Sequence, residues 1–238
     1  MSYARTKKRM STSSIEPSSS RILATFCFID LEGFTAHTEA HGDEDAAELA
    51  TRFAKLTRSV LGPRDRLIKT IGDAVLVACP DAAAGVTFVE NVLDKAAKDK
   101  RIPSLRAGLH HGGAVVRDGD VYGAAVNLAA RVAAEAHAGE VLGTEPIADA
   151  ARAAGIPVAE LGAVPLKNVR GEIALFSLGL MVGGEATPID PVCRVPIDRR
   201  EAIGRLRYQG TEYFFCSMTC AAAFASNPGW HAADSAES

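Results

Sequence analysis

The sequence predicts an α+β fold: a sheet with helices on one face, of ferredoxin-like type, followed by a small cysteine-containing module. Apolar runs of strand length alternate with longer segments of helical spacing from residue 21 to residue 180. One pair of strands is joined so closely that a hairpin is expected. After residue 188 the composition changes, because three of the five cysteines and the only tryptophan lie there.

The first half of this pattern contains three strands and one helix. Residues 22–30 form a β-rich run, and residues 44–60 carry apolar or small side chains at helical spacing. Arg66–Ile71 and Ala74–Cys79 are two apolar runs separated by Gly72-Asp73, a step that favours a tight turn. Cys27 and Cys79 lie inside these strand-like runs, so we expect them to be buried thiols.

The second half repeats the alternation. Residues 82–98 predict a helix, residues 105–116 a strand, and residues 124–136 an alanine-rich helix after a turn at Gly119-Asp120. Shorter elements follow: a strand at 140–142, a helix at 146–154, and strands at 158–161 and 173–178.

Four regions are expected along the chain. Residues 1–20 are rich in Ser, Thr, Lys and Arg and lack an apolar period, which predicts a disordered tail. The main domain then covers residues 21–180. The Gly-rich stretch 181–187 predicts a linker, and residues 188–238 form a module so small that a metal ion could supply the missing stability.

The overall charge restricts the partners. A net charge of −3 gives no reason to expect nucleic acid or an anionic membrane. The longest apolar stretch is far shorter than the roughly 20 residues that cross a bilayer, and no signal peptide is readable. We therefore predict a cytoplasmic protein without nucleic-acid or membrane partners.

Two aspartates stand out by position. Asp30 ends a strand, and Asp73 lies at the tip of the predicted hairpin. If the strands are neighbours, both carboxylates project at one end of the sheet, where such pairs hold two Mg²⁺ or Mn²⁺ ions for phosphoryl chemistry. Gly33, Phe34 and Thr35 follow at a helix start, whose N–H groups suit phosphates. Taken singly, strand-end aspartates are more often turn formers or helix caps, so their spacing alone does not decide between the two interpretations.

Four segments read together are more specific. They are residues 28–35 (FIDLEGFT), 69–73 (KTIGD), 106–110 (RAGLH) and 120–131 (DVYGAAVNLAAR). In this order and spacing they resemble the catalytic domain of class III nucleotidyl cyclases. The resemblance implies a homodimer with shared active sites at its interface, in which ATP is cyclised to 3′,5′-cyclic AMP and diphosphate.

The resemblance also implies roles for individual residues. Asp30 and Asp73 match the two metal-binding aspartates, and the carbonyl of Leu31 matches a further ligand. Lys69 and Asp120 match the pair that reads the purine, and a lysine with an aspartate is the adenine-selecting combination. A guanylate or mixed-specificity cyclase is therefore disfavoured.

Asn127 and Arg131 lie four residues apart, so they share one helix face. They match the asparagine that orients the ribose and the arginine that stabilises charge on the α-phosphate. Lys167 is the nearest match to a late lysine that touches the terminal phosphates, although Asn168 replaces the usual glycine and Arg170 could serve instead. A non-catalytic nucleotide or metal sensor with this fold remains the alternative from another class.

His110 and His111 are the remaining candidates for chemistry in the main domain. They lie in a predicted strand followed by two glycines, which favours a structural role over a general base or a metal ligand.

The C-terminal segments 190–193 (DPVC) and 208–220 (YQGTEYFFCSMTC), with Phe224 and Pro228, resemble the YHS domain and the related treble-clef metal-binding domains. Cys193, Cys216 and Cys220 would then bind Cu or Zn, since thiolates suit these metals. On a helix, Cys216 and Cys220 would point the same way. The fourth ligand could be His231 or Asp190, or the site could be three-coordinate, which favours Cu(I). Buried structural thiols and a reversible disulfide between Cys216 and Cys220 are the alternatives.

Overall fold

The computed structural model describes residues 20–180 and 188–236, with side chains through residue 232. The expected linker 181–187 and all of the expected tail except Ser20 lie outside the described residues. Ser20 is the first residue of strand β1, so this strand begins two residues earlier than the run 22–30 that the sequence predicted.

The main part of the chain alternates strands and helices as predicted. In chain order the elements are β1 (Ser20–Leu31), α1 (Phe34–His41), α2 (Asp43–Arg58), β2 (Arg66–Ile71), β3 (Ala74–Cys79), α3 (Ala82–Ala96), β4 (Leu105–Arg117), β5 (Asp120–Tyr122), α4 (Ala124–Glu135), β6 (Val141–Gly143), α5 (Glu145–Ala153), β7 (Val158–Pro165) and β8 (Glu172–Leu178). Only the start of helix α1 was predicted, at Gly33, Phe34 and Thr35, and the short strand β5 was not predicted as a separate element.

These strands form one mixed sheet in the order β2-β3-β1-β4-β6-β8-β7, with β5 added beside β4. Strand β1 runs antiparallel to both of its neighbours, β3 and β4. The predicted hairpin is present: β2 and β3 pair antiparallel with Ile71 opposite Ala74, and Gly72 takes the positive φ of 61° that the turn requires. The end of β1 and the tip of this hairpin therefore lie side by side.

Helices cover both faces of the sheet, so the expectation of helices on one face only was wrong. Alternate β1 residues such as Cys27 and Ile29 pack with α2, α3 and α5. The intervening residues, such as Phe26, pack on the other side against the alanine-rich helix α4. The alternation of side chains along a fully covered central strand explains this arrangement. Cys27 and Cys79 are buried as predicted.

The C-terminal module has its own core around Phe215 and Phe224. It consists of the hairpin β9 (Gly204–Tyr208) and β10 (Thr211–Phe215), followed by α6 (Met218–Ser226) and α7 (Pro228–Ala236). Ala40 of α1 packs against this core, and Lys100 forms an ion pair with Glu201 at 2.7 Å. The module therefore contacts the main domain through α1 and the segment after α3. Among the described residues, no helix is long and apolar enough to cross a membrane.

Candidate active site

Two carboxylates meet at one end of the sheet. Asp30 is the last residue but one of β1, and Asp73 lies in the loop between β2 and β3. Because β3 is the neighbour of β1, with Ile29 opposite Val75, the hairpin loop reaches the end of β1. Burial and then the negative charge of Asp30 raise the pKa of Asp73 to about 6. The two carboxyl groups thus interact directly, and their oxygens fit a hard divalent cation.

Arg106 holds one of these carboxylates, a contact that the sequence analysis missed. It stands opposite Asp30 in the β1–β4 ladder and donates to Oδ2 of Asp30 from Nη2 at 2.7 Å and from Nε at 3.1 Å. Burial acts to lower the pKa of Arg106, but the hydrogen bond to Asp30 together with the negative charges of Asp30, Glu32 and Asp73 outweighs it, so the net shift is upward. Both donors go to Oδ2, so this guanidinium does not engage the other oxygen of Asp30. The signal that could have revealed this contact is the position of Arg106 directly opposite Asp30 on the neighbouring strand.

Lys69 and Asp120 form an ion pair from two distant parts of the chain. The Nζ atom of Lys69 lies 2.7 Å from Oδ2 and 2.9 Å from Oδ1 of Asp120. This bond, with the N–H of Val121, lowers the pKa of Asp120. The pairing depends on a β-bulge, since the register shifts between Leu67 and Lys69 and leaves Lys69 opposite Leu76. Leu76 belongs to the face covered by α4, so the bulge turns Lys69 towards that side.

Asn127 and Arg131 lie on α4, one turn apart. The buried side of this helix consists of Ala125, Val126, Ala129, Val132 and Ala133. Asn127 is exposed and Arg131 is half-buried, so both belong to the side of α4 that does not pack on the sheet.

The segment that follows Asp30 begins helix α1. Leu31 is buried at the end of β1, and Gly33 is the N-cap of α1 with a left-handed φ of 71°. Phe34 packs against the core beneath, while Thr35 is exposed in the first turn. The helix start predicted for Gly33, Phe34 and Thr35 is confirmed.

The remaining candidates of the main domain are the two basic residues Lys167 and Arg170 and the two histidines His110 and His111. Lys167 and Arg170 are both exposed in the connection between β7 and β8. The ring of His110 is hydrogen-bonded to Thr144 at 2.8 Å and that of His111 to Thr25 at 2.9 Å. Burial and the neighbouring His111 lower the pKa of His110. These threonine contacts agree with the structural role predicted for both histidines.

The three C-terminal cysteines come together with a fourth side chain from the main domain. Cys193, Cys216, Cys220 and His41 of α1 form a group that could hold a metal ion. Cys216 and Cys220 do not share a helix, because Ser217 caps α6 and Cys216 precedes it. The hydrogen bond between Cys193 and Cys216 raises the pKa of Cys193, whereas contacts with the other two thiols lower the pKa of Cys220.

The two residues proposed as the fourth ligand have other partners. The buried carboxylate of Asp190 accepts hydrogen bonds from the backbone N–H groups of Val192, Cys193 and Cys216. His231 stacks on the ring of Phe224. His41 was missed because it lies 152 positions before Cys193, at the end of a helix of which only the start was predicted.

Comparison with known families gives two matches. Residues 18–179 match the adenylate and guanylate cyclase catalytic domain, and residues 189–232 match the YHS domain. The first match includes every residue discussed above except those of the C-terminal module.

Individual proteins are similar over the same region. A pH-sensitive adenylate cyclase of Mycobacterium tuberculosis is 40% identical over 156 residues, which cover 64% of this chain and 39% of that protein. An adenylate cyclase of Streptomyces coelicolor is 38% identical over 106 residues, which cover 44% of this chain and 28% of that protein. The chain therefore spans well under half the length of these two relatives. The solved structure of an adenylyl cyclase of P. aeruginosa superposes with a TM-score of 0.60 at 20% identity and covers 71% of this chain and 98% of that one.

Proposed function

The chain belongs to the adenylate and guanylate cyclase catalytic domain family, and from this we propose that it is an adenylate cyclase that converts ATP to 3′,5′-cyclic AMP and diphosphate. The observation that carries the choice of ATP is the Lys69–Asp120 pair. The names of the M. tuberculosis and S. coelicolor relatives support the same activity.

Adenine is selected by hydrogen-bond polarity. The ammonium of Lys69 donates to N1 of adenine, and the carboxylate of Asp120 accepts from the N6 amino group. Guanine presents an N1–H donor and a carbonyl acceptor at the same two places. The Lys69 donor would then face a donor, and the Asp120 acceptor would face an acceptor. A site built to pair with one edge discriminates strongly, because the mismatched edge leaves polar groups unsatisfied.

Asp30 and Asp73 would hold the divalent cations that class III cyclases use. Their oxygen ligands suit Mg²⁺ or Mn²⁺, and the carbonyl of Leu31 supplies a further oxygen in this proposal. The bound ions would activate the 3′-hydroxyl and neutralise phosphate charge. Arg106 fixes the orientation of Asp30. The N–H groups at the start of α1, from Gly33 to Thr35, donate hydrogen bonds to phosphate oxygens in this proposal.

The remaining residues act on the ribose and on the reacting phosphate. Asn127 orients the ribose so that the 3′-oxygen faces the α-phosphate, and the Arg131 guanidinium stabilises the charge that develops on the phosphoryl oxygens. Lys167 is the proposed contact to the terminal phosphates, with Arg170 as its alternative.

The site is completed by a second copy of the chain. Asn127 and Arg131 are on the outer side of α4, whereas Asp30 and Asp73 lie at the end of β1 and the β2–β3 hairpin. A homodimer in which one chain supplies the carboxylates and the other supplies Lys69, Asp120, Asn127 and Arg131 forms two equivalent sites about a two-fold axis. The exposed apolar side chains of Ile71 and Tyr122, close in sequence to Lys69 and Asp120, support an interface here.

The proposed setting is the cytoplasm, where ATP is available. All five cysteines lie among the described residues and are unpaired there, as a reducing compartment would keep them. The proposed domain boundaries are residues 21–180 for the cyclase domain and 188–238 for the YHS domain, joined by a linker at 181–187.

The deciding experiment measures cyclic nucleotide formation by the purified protein with ATP or GTP and Mn²⁺. Conversion of ATP alone, lost in Asp73→Ala and shifted towards GTP in Lys69→Glu, is the expected result. If the full chain and a chain truncated after Leu180 both leave ATP and GTP unchanged, while still binding an ATP analogue, the protein is a nucleotide sensor instead.

A further inference from the structure

The four side chains that meet between the two domains have the spacing of a closed tetrahedral metal site. The Sγ atom of Cys216 lies 3.3 Å from that of Cys193 and 3.8 Å from that of Cys220. The Nε2 atom of His41 lies 3.8 Å from Sγ of Cys216 and 3.6 Å from Sγ of Cys220. All four ligand atoms lie within 4.8 Å of one another.

These distances can be compared with those around zinc. Zn–S bonds of about 2.3 Å and Zn–N bonds of about 2.0 Å at tetrahedral angles place two sulfurs about 3.8 Å apart and a sulfur and a nitrogen about 3.5 Å apart. The separations between Cys216, Cys220 and His41 agree with these values, and the Cys193–Cys216 distance is somewhat shorter. Three thiolates and one imidazole form one of the usual structural zinc sets.

The surrounding structure already orients three of the ligands. The carboxylate of Asp190 accepts hydrogen bonds from the N–H groups of both Cys193 and Cys216, so it fixes the two backbone segments that carry them. The ring of His41 packs on that of His37, with centroids 4.6 Å apart, and His37 is itself held by Asp45 at 2.8 Å. Such outer contacts tune and orient ligands.

We propose that His41, Cys193, Cys216 and Cys220 bind one Zn²⁺ ion, which joins the YHS domain to helix α1 of the cyclase domain. His41 is the last residue of α1, so the ion would be bonded to both domains at once. This differs from a site confined to the C-terminal module, because the fourth ligand comes from the catalytic domain.

The C-terminal module also contacts the other end of the same helix. Arg194, the residue after the ligand Cys193, is buried against Gly33, the N-cap of α1. A Cβ atom on Gly33 would lie 2.3 Å from Cγ of Arg194. Metal binding at His41 and packing at Gly33 therefore restrain both ends of an eight-residue helix whose start, in the proposed function, binds phosphate. The effect of the ion on catalysis rests on that proposed function.

The test measures metal content first and activity second. The full chain, purified and dialysed against Zn²⁺, is expected to hold about one Zn²⁺ by elemental analysis, and Co²⁺ in its place should give the visible absorption of a tetrahedral thiolate site. Loss of one of four ligands in His41→Ala should weaken Zn²⁺ binding on the order of 10²-fold, and Cys220→Ser should do the same.

His231→Ala is the matched control, because His231 is a histidine of the C-terminal module that stacks on Phe224 and is not one of the proposed ligands. It should keep the metal and the Co²⁺ spectrum. The proposal is overturned if His41→Ala binds Zn²⁺ as tightly as the unaltered chain with an unchanged Co²⁺ spectrum, or if the unaltered chain takes up Cu(I) in preference to Zn²⁺. Circular dichroism of each variant shows whether it is folded.

The activity measurement separates the two proposals. Removing Zn²⁺ should change KM for ATP about threefold or more in the unaltered chain, as the phosphate-binding segment loosens, and should have no effect in His41→Ala. A chain that binds Zn²⁺ through His41 but makes no cyclic AMP would contradict the proposed function and leave the metal site intact. Equal KM values with and without Zn²⁺ in an active enzyme would contradict the coupling.

Discussion

The ammonium of Lys69 lies 2.7 Å from Oδ2 of Asp120, although 51 positions separate the two residues. Their side chains remain 38% and 29% exposed. An ion pair with this exposure contributes only about 0–1 kcal/mol, so a purine edge can replace it at low cost. In the proposed function, the pair keeps the two side chains close together and correctly charged for adenine.

The first prediction concerns Asp120→Asn. The amide loses the charge that strengthens the hydrogen bond to the N6 amino group, and hydrogen bonds to charged groups are worth about 1.5–3 kcal/mol. We expect kcat/KM for ATP to fall about 10- to 100-fold while the low rate with GTP changes less. Steady-state kinetics with both nucleotides measure the change.

Asp118→Asn is the control for this variant. Asp118 lies two positions earlier in the β4–β5 turn, and within the described part of the chain it makes a 3.9 Å contact with Arg117. Its removal should leave both nucleotides unaffected. An unchanged ATP-to-GTP preference in Asp120→Asn would remove Asp120 from the purine site.

The second prediction tests the shared sites by mixing inactive variants. Asp73→Ala removes the carboxylate half and Arg131→Ala removes the other half, so each homodimer should be inactive. Random exchange makes half of the dimers mixed, and each mixed dimer has one intact site. Activity should therefore recover to about a quarter of that of the unaltered enzyme.

Mixing Asp30→Ala with Asp73→Ala provides the control for complementation. Both substitutions damage the same half, so no mixed dimer contains an intact site and the mixture should stay inactive. Recovery in this control, or none in the first mixture, would be inconsistent with sites formed across a two-fold axis.

Local patterns were sufficient to predict most elements of the sheet. The apolar runs of β1 and β3 and the helical spacing of α2 and α3 depend on near neighbours in the chain, and all four elements are confirmed. The Gly72 turn is equally local, since it needs one residue with positive φ.

The parts that were missed depend on long-range packing. The bulge beside Lys69 is a property of two paired strands, and it decides which face of the sheet the lysine joins. The position of α4 on the opposite face could not be read from its alanine-rich sequence, because small side chains fit either side. His41 becomes a candidate ligand only when the C-terminal module packs against α1.

The third prediction concerns the buried carboxylate of Asp190, which accepts three backbone N–H groups and is fully buried. Asp190→Ala leaves these donors unpaired, at about 1–3 kcal/mol each. Calorimetry should show the unfolding transition of the YHS domain at a markedly lower temperature. Asp198→Asn, a carboxylate of the same domain in the segment before β9, should leave that transition in place, and equal Tm values for the two variants would contradict the role of Asp190.

The last prediction concerns the contact between β4 and α4 at Gly108. A Cβ atom there would lie 2.0 Å from the backbone nitrogen of Ala133 and 2.5 Å from its Cα atom. Backbone atoms cannot rotate aside, so Gly108→Ala must push α4 off the sheet, and Asn127 and Arg131 move with it. Overpacking costs about 1–3 kcal/mol, which lowers Tm by roughly 2–4 °C per kcal/mol in a domain of this size.

Gly108→Ala should reduce the cyclase rate even at temperatures where the variant is fully folded, because a shift of about 1 Å in catalytic groups costs on the order of 10²-fold in rate. Gly113→Ala on the same strand is the matched control, since its Cβ would meet only the carbonyl oxygen of Ile22, at 4.0 Å. Thermal unfolding together with cyclase assays well below Tm separates the two effects. If Gly108→Ala retains the rate of Gly113→Ala, the position of α4 on β4 does not determine catalysis, and the proposed roles of Asn127 and Arg131 lose their structural basis.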